Sequence, residues 1–204
     1  MLGAPALAVY SMAAKLMEIV EFPLRSFVGT GMSAMAVAYN QGNLHQTSYI
    51  LKKYSGMLTI AFIPLSVFAF FFADIAIRAL GGAQYTLTEA PNIYRLLMIL
   101  CLFYPADRFI GVTLDIIHKP KINFYKVIIM LAVVICGDFT GILIFKNLYG
   151  IVFASFLTLL AGSSFGYFQL IRYLRFSYAD IFILGFHEMK VFLNKKLRPG
   201  KPGN

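Results

Sequence analysis

The chain has 204 residues, of which 59% are hydrophobic and only 13% charged, with a mean hydropathy of +0.74. Soluble domains hold roughly 45–50% apolar and about 25% charged residues, so a water-soluble fold is excluded and a membrane protein is predicted. The net charge of +9 fits an anionic membrane surface, and no helix-turn-helix or base-stacking motif points to nucleic acid.

Apolar runs of about 20 residues recur along the chain, the length a helix needs to cross about 30 Å of hydrocarbon. A transmembrane barrel would instead show short alternating segments. The predicted fold is all-α: a polytopic membrane bundle of about five transmembrane helices with a C-terminal interfacial amphipathic helix. The spans fall at approximately 11–38, 56–80, 93–116, 124–146 and 149–172. "NQGN", "GGAQY", "HKPK" and "KNLYG" combine turn formers with polar residues at the joins. The opening "MLGAPALAVYSMAAK" lacks a basic region and a cleavage site, so it does not read as a signal peptide.

The first span holds "AAKLMEIVEFPLRSFVGTGM", where Lys15, Glu18, Glu21 and Arg25 interrupt an apolar run around Pro23. At about 100° per residue the four charges form one helical stripe. Ions within a membrane cost at least roughly 2.5–3.5 kcal/mol each on insertion scales and normally face a bundle interior or a watery cavity. Lys15, Glu18, Glu21 and Arg25 are therefore candidate substrate-pathway residues, and Pro23 a candidate helix break that frees backbone polar groups beside them. The structural alternative is mutual neutralisation, with Glu21 and Arg25 at the spacing of an ion pair.

The third span repeats the pattern in "YPADRFIGVTLD". Pro105 is a second expected helix break, and Asp107 and Arg108 are further pathway candidates. Being adjacent, they diverge by about 100° and are not expected to serve one small site equally; the structural alternative pairs both with the first span. In the fourth span Asp138 stands between glycines, a candidate cation or proton site or else a structural hydrogen bond, and Gly137 and Gly141 have the spacing of a close helix contact.

Cys101 and Cys136 occur singly and read as buried packing residues. His45, His118 and His187 lack metal-ligand spacing, so no metal site is expected. Neither a nucleophile elbow nor a phosphate-binding glycine loop occurs, and no enzyme activity is predicted.

Of the 18 Lys and Arg residues, Lys52, Lys53, Lys119, Lys121, Lys126 and seven in the C-terminal segment fall on one side of the spans. Arg78, Arg95 and Lys146 fall on the other. This asymmetry predicts a cytoplasmic C-terminus and an external N-terminus. Residues 1–175 would form the transmembrane bundle and 176–204 a cytoplasmic amphipathic helix with a basic disordered tail. Ile181, Phe182, Phe186, Met189 and Leu193 supply the apolar face of that helix, and "RPGKPGN" is expected to be disordered.

Several blocks resemble a known family in their order. "LGAPALAVYSMAAKLMEIVEFPLRSF", with Gly3 and Tyr10 to Ala13, is similar to a segment of bacterial polysaccharide flippases that leads into a long helix. "QGNLHQTSYILKKYSG" resembles the cytoplasmic link that follows, and "RALGGAQYTLTEAPNIYRLLMIL" the Gly-x-x-Tyr loop, here Gly82 to Tyr85. The resemblance is to the C-terminal lobe of O-antigen and other lipid-linked oligosaccharide transporters of the multidrug/oligosaccharidyl-lipid/polysaccharide exporter superfamily, in the bacterial inner membrane. It implies a transporter that flips polyprenyl-pyrophosphate-linked oligosaccharides by alternating access during surface polysaccharide (lipopolysaccharide) synthesis. It also implies Arg25 and Lys15 lining the pathway, no cofactor beyond sodium or proton coupling, and a missing N-terminal lobe or second chain as partner, the sequence being a fragment of the two-lobed plan. Two alternatives stand beside this: a cation-coupled multidrug exporter, in which the acids matter more, and a non-transporting membrane subunit whose charged stripe binds a partner helix.

Overall fold

A computed structural model describes residues 4–145 and 147–197. They form α1 (Ala4–Asn40), α2 (Leu44–Phe71), α3 (Ala73–Gly81), α4 (Ala83–Thr86), α5 (Ala90–Cys101), α6 (Tyr104–Ile116), α7 (Pro120–Phe145), α8 (Tyr149–Leu170) and α9 (Tyr178–Leu197). No strand occurs among the described residues. Leu44–Phe71, Pro120–Ile144 and Tyr149–Leu170 are long and apolar enough to cross a membrane, and α5 with α6, bent by 46° at their break, are so only as a pair, in the form of a broken span or a re-entrant loop. At 37 residues α1 is longer still, but its charges set it apart from these. The chain is an all-α, multi-pass membrane bundle.

All four expected joins are turns. Asn43 caps α2, its side chain accepting from the Gln46 N–H at 2.9 Å, after Gly42 at φ 74°. Gly82 at φ 85° separates α3 from α4, and His118 at φ 57° precedes Pro120 at the start of α7. The Tyr149 N–H is taken up by the Asn147 side chain at 3.1 Å.

The helices meet at what we call the near end, where the α1–α2 turn, the α6–α7 turn and the α8–α9 link converge. There the Tyr39 hydroxyl donates to the Ile117 carbonyl at 3.4 Å, and Ser48 donates to the Arg175 carbonyl at 3.4 Å. At the far end Arg95 of α5 pairs with Asp74 of α3 at 2.5 Å and donates to the Phe70 carbonyl at 3.2 Å. The core runs between these ends through Met17 and Met35 of α1, Leu51 of α2, Ile93 and Met98 of α5, and Phe109 and Leu114 of α6, all buried. Gly31 admits the Phe109 ring, since a Cβ there would lie 2.6 Å from its Cε1. The most extensive helix pairing is α7 with α8. In it a Cβ on Gly141 would lie 2.6 Å from the Gly150 carbonyl oxygen, and one on Gly137 2.9 Å from Ala154 Cβ. The expected close contact at these two glycines is therefore the α7–α8 seam.

Four readings of the sequence need correction. The second span begins at Leu44 and not at 56, because Thr47, Ser48 and Ser55 are buried inside the bundle and their polarity marks an interior rather than a link. It ends at Phe71, and residues 73–81 form the separate α3. Helix α1 runs unbroken through Pro23, since a proline removes one N–H bond without obliging the chain to change course when tertiary packing holds it. Cys136 is exposed on α7, whereas Cys101 is buried as expected.

The apolar face of α9 is divided between two surroundings. Ile181 is buried against α2, while Phe182, Ile183 and Phe186 remain exposed. The Leu193 side chain and the "RPGKPGN" tail lie outside the described residues. Where α9 crosses α2, a Cβ on Gly56 would lie 2.7 Å from Gly185 Cα. Asp180 sits 3.7 Å from Lys52 on one flank of the crossing, and Glu188 lies 2.5 Å from Lys53 on the other. Tyr49 also donates to Glu188, at 2.6 Å.

These two bonds, that from Lys53 first and that from Tyr49 second, hold the Glu188 carboxyl below the usual carboxylate range. A depressed folded-state value contributes stability above the unfolded-state value of about 4.3 and loses it as pH falls through the folded one. Proteolysis of the 171–177 link should therefore be slow at neutral pH and quicken as pH falls below about 4. Glu188→Gln should remove most of that dependence. Gly56→Leu, which overpacks the crossing at a cost of about 1–3 kcal/mol, should make the link labile at neutral pH.

Candidate functional site

Helix α6 presents one face to a cavity of about 600 Å3. Tyr104, Asp107, Arg108, Gly111, Val112 and Asp115, spaced by three and four residues, line it from α6. Asn123, Lys126, Val127, Met130 and Leu131 face them from α7, Glu21 closes it from α1 and Leu159 from α8. The α5–α6 break at Leu102 and Phe103, followed by Pro105 in the first turn of α6, is the expected interruption. It lets α6 leave the line of α5 and present this face.

The centre of the site is an ion pair. Lys126 Nζ lies 2.7 Å from Asp107 Oδ1 and donates a second hydrogen bond to the Asp107 backbone carbonyl at 3.1 Å. Ser163 of α8 donates to the same Oδ1 at 3.0 Å. With Lys126 only 4% and Asp107 8% exposed, both charges are desolvated, and such a pair persists only with good geometry and further hydrogen bonds. Glycines make room for it. A Cβ on Gly166 would lie 3.3 Å from Lys126 Cδ, and one on Gly111 3.1 Å from the Asn123 Oδ1 beside it. The lysine stem thus passes between α6 and α8 where larger residues would block it. The chain of contacts continues to α9, whose Tyr178 hydroxyl donates to the Ser163 carbonyl at 3.4 Å. Near the α6–α7 turn the Asn123 amide donates to both Asp115 oxygens, at 3.1 and 2.9 Å.

The sequence candidates separate into two groups. Glu21, Asp107 and Arg108 share the cavity; it spans enough of α6 that adjacent Asp107 and Arg108 both line it, contrary to the expectation from their divergence. Asp107 pairs with α7 rather than with the first span. Arg108 is exposed and has no carboxylate within 4.0 Å among the described residues, although it and Arg25 act electrostatically on Glu21. Lys15, Glu18 and Arg25 instead line a shallow recess with Ile19 and Phe22 on the outer face of α1. The single stripe is thus split between an inner and an outer surface, and the Glu21–Arg25 ion pair of the structural alternative is not formed within 4.0 Å. Asp138 stands apart on α7; its buried Oδ1 accepts no hydrogen bond among the described residues, so the structural bond expected there is not found.

Lys126 is the residue that sequence reasoning misplaced, by grouping it with the flanking lysines. Its signal was helical periodicity: Asn123, Lys126 and Met130 fall on one face of α7, and that face lines the cavity.

Removing one member of a buried pair costs about 3–5 kcal/mol, whereas replacing both with apolar residues of similar volume is often neutral or better. Lys126→Met and Asp107→Leu should each lower the unfolding temperature of the detergent-solubilised protein, and the double variant should recover most of the loss. Additive losses would show that the two residues do not act as a pair.

A family model described as MatE matches residues 1–140, from α1 through most of α7 and including the cavity walls contributed by α1, α6 and α7. No curated protein and no solved structure matches the chain. A match over this share of the sequence, on an all-α membrane bundle with a charged internal cavity, places the chain in the MatE family of membrane transporters, within the multidrug/oligosaccharidyl-lipid/polysaccharide exporter superfamily.

Proposed function

We propose that the chain acts as the C-terminal lobe of a flippase for polyprenyl-pyrophosphate-linked oligosaccharides in a bacterial inner membrane, with the near end cytoplasmic and the N-terminus outside. The observation that carries this reading is the exposed Arg108 in the cavity, with no carboxylate within 4.0 Å among the described residues, together with Lys15 and Arg25 on the outer face of α1. Exposed guanidinium and ammonium groups suit a diphosphate, which they bind bidentately or as point charges. The Asp115–Asn123 pair at the near end of the cavity offers amide and carboxylate groups suited to sugar hydroxyls. The carboxylates of Glu21, Asp107 and Asp115 are the groups through which a sodium or proton gradient would drive the cycle.

A second bundle completes the transporter in this proposal. The outer face of α1 exposes Lys15, Glu18 and Arg25 together with Ile19 and Phe22. Facing lipid, each ion would cost roughly 2.5–3.5 kcal/mol, whereas a facing bundle would turn the same surface into the wall of a watery pathway. Alternating access by rocking of one bundle against another needs such a partner. The drug-exporter reading keeps this architecture and shifts the weight to Glu18 and Glu21; the partner-subunit reading keeps the face and drops transport.

The readings separate by experiment. Arg108→Ala and Arg25→Ala should leave membrane abundance unchanged and reduce flipping of a lipid-linked sugar by about tenfold or more, the loss expected for a charge-assisted contact of about 1.5–3 kcal/mol. Glu21→Gln should have a smaller effect on that assay. The opposite ranking, with cation-dependent efflux of a dye, would favour a drug exporter. Deletion of the gene should cause the lipid-linked repeat unit to accumulate on the inner leaflet, and normal surface glycan in the deletion strain would overturn the flippase reading.

A further inference from the structure

The near end carries a second recess, of about 350 Å3, separate from the cavity. His45, Ser48 and Lys52 form one wall from the first turns of α2, and Tyr173 and Arg175 form the other from the α8–α9 link. Three basic residues line it and no acid does. Beside the two cations Lys52 and Arg175, Lys119 adds a third, lying 5.2 Å from the Tyr173 ring centroid. Asp180 reaches Lys52 only at 3.7 Å and is already engaged, accepting the Ser177 N–H at 3.1 Å at the start of α9. Arg175 has no carboxylate within 4.0 Å among the described residues.

Like charges converging on a concave surface repel one another unless an anion joins them. The positive end of the 28-residue α2 adds to the same potential. The walls are nevertheless held together, by the hydrogen bond from Ser48 to the Arg175 carbonyl at 3.4 Å. A site of this kind matches a phosphate group, which accepts several charge-assisted hydrogen bonds at once. Its position points to the source of that phosphate. Helix α9, which begins at this recess, leaves Phe182, Ile183 and Phe186 exposed, the pattern of a helix lying in the membrane interface at headgroup level.

We propose that this recess binds a phosphate-bearing anion, supplied in the membrane by the headgroup of an acidic phospholipid. A headgroup seated there bridges α2 to the link that leads into α9. The site is independent of the cavity and of the cargo that the cavity carries.

The test uses the full chain purified in a zwitterionic detergent, with phosphatidylglycerol, phosphatidylcholine or inorganic phosphate added separately. Retained lipid is read by native mass spectrometry and stability by thermal unfolding. Phosphatidylglycerol should be retained and should raise the unfolding temperature, and phosphatidylcholine should do neither. Arg175→Gln and Lys52→Gln should each weaken phosphatidylglycerol retention by about fivefold, the scale of one basic residue at an anionic surface. Arg175→Lys should keep most of it, and Lys121→Gln, an exposed lysine outside the recess, should have no effect. Stabilisation by inorganic phosphate equal to that by the lipid, with displacement of the lipid, would support the phosphate site while assigning it to a soluble ligand. Equal retention of the two lipids with no effect of phosphate, wild-type retention by both Gln variants, or an equal loss in Lys121→Gln would overturn the proposal.

Discussion

Two charges taken out of water must be given partners in the protein, and the Lys126–Asp107 pair meets that demand with four structural consequences. Lys126 reaches Asp107 only if α7 lies beside α6 in one register, because the ammonium group meets both the carboxylate and the backbone carbonyl of the same residue. Its stem needs Gly166, where a Cβ would lie 3.3 Å from Lys126 Cδ. The carboxylate needs the Ser163 hydroxyl, which draws α8 into the same arrangement. Finally, Ser163 carries the chain of contacts to Tyr178 at the start of α9. Three spans and the helix that lies across their near end are thus aligned around one satisfied pair, where a single missing donor would leave a buried charge exposed to the full cost of desolvation.

Other charges lie open, without a carboxylate or cation within 4.0 Å among the described residues. Arg108 projects into the cavity beside the satisfied pair, and Lys15, Glu18 and Arg25 project from the outer face of α1. The difference between the two groups follows from burial. The paired charges hold helices in place, while the open ones lie on exposed or cavity-lining surfaces. The basic recess at the near end obeys the same logic at the membrane surface. There the cations converge on the joint between α2 and α9, and Asp180, the acid that reaches Lys52, is engaged in starting the helix.

Much of the architecture was legible before any coordinates. The apolar helices, the joins and the interruption between α5 and α6 follow from local chemistry: runs of apolar residues, turn formers such as Gly42 and Gly82, and a proline whose ring and missing N–H restrict the backbone. The close α7–α8 seam was legible from Gly137 and Gly141. The charged residues were recognisable as candidates because apolar segments rarely carry ions without cause. Local pattern misled where polarity had a tertiary explanation. The polar turns of α2 at Thr47, Ser48 and Ser55 read as a link because the elements that bury them lie elsewhere in the chain, and Lys126 read as a flanking charge because Asp107 belongs to another helix.

Composition and hydropathic period alone determined that this chain is an all-α membrane bundle, because transfer of apolar side chains and peptide groups into hydrocarbon depends on residue type and helix length and hardly on neighbours. Pairing was decided only by the tertiary structure. Whether a lysine is buried against an aspartate, whether four charges form one stripe or divide between a cavity and an outer face, and whether a proline interrupts a helix all depend on which side chains from distant segments lie within a few ångströms. Electrostatic and packing energies fall off over that distance, so they act only once the helices have been brought together.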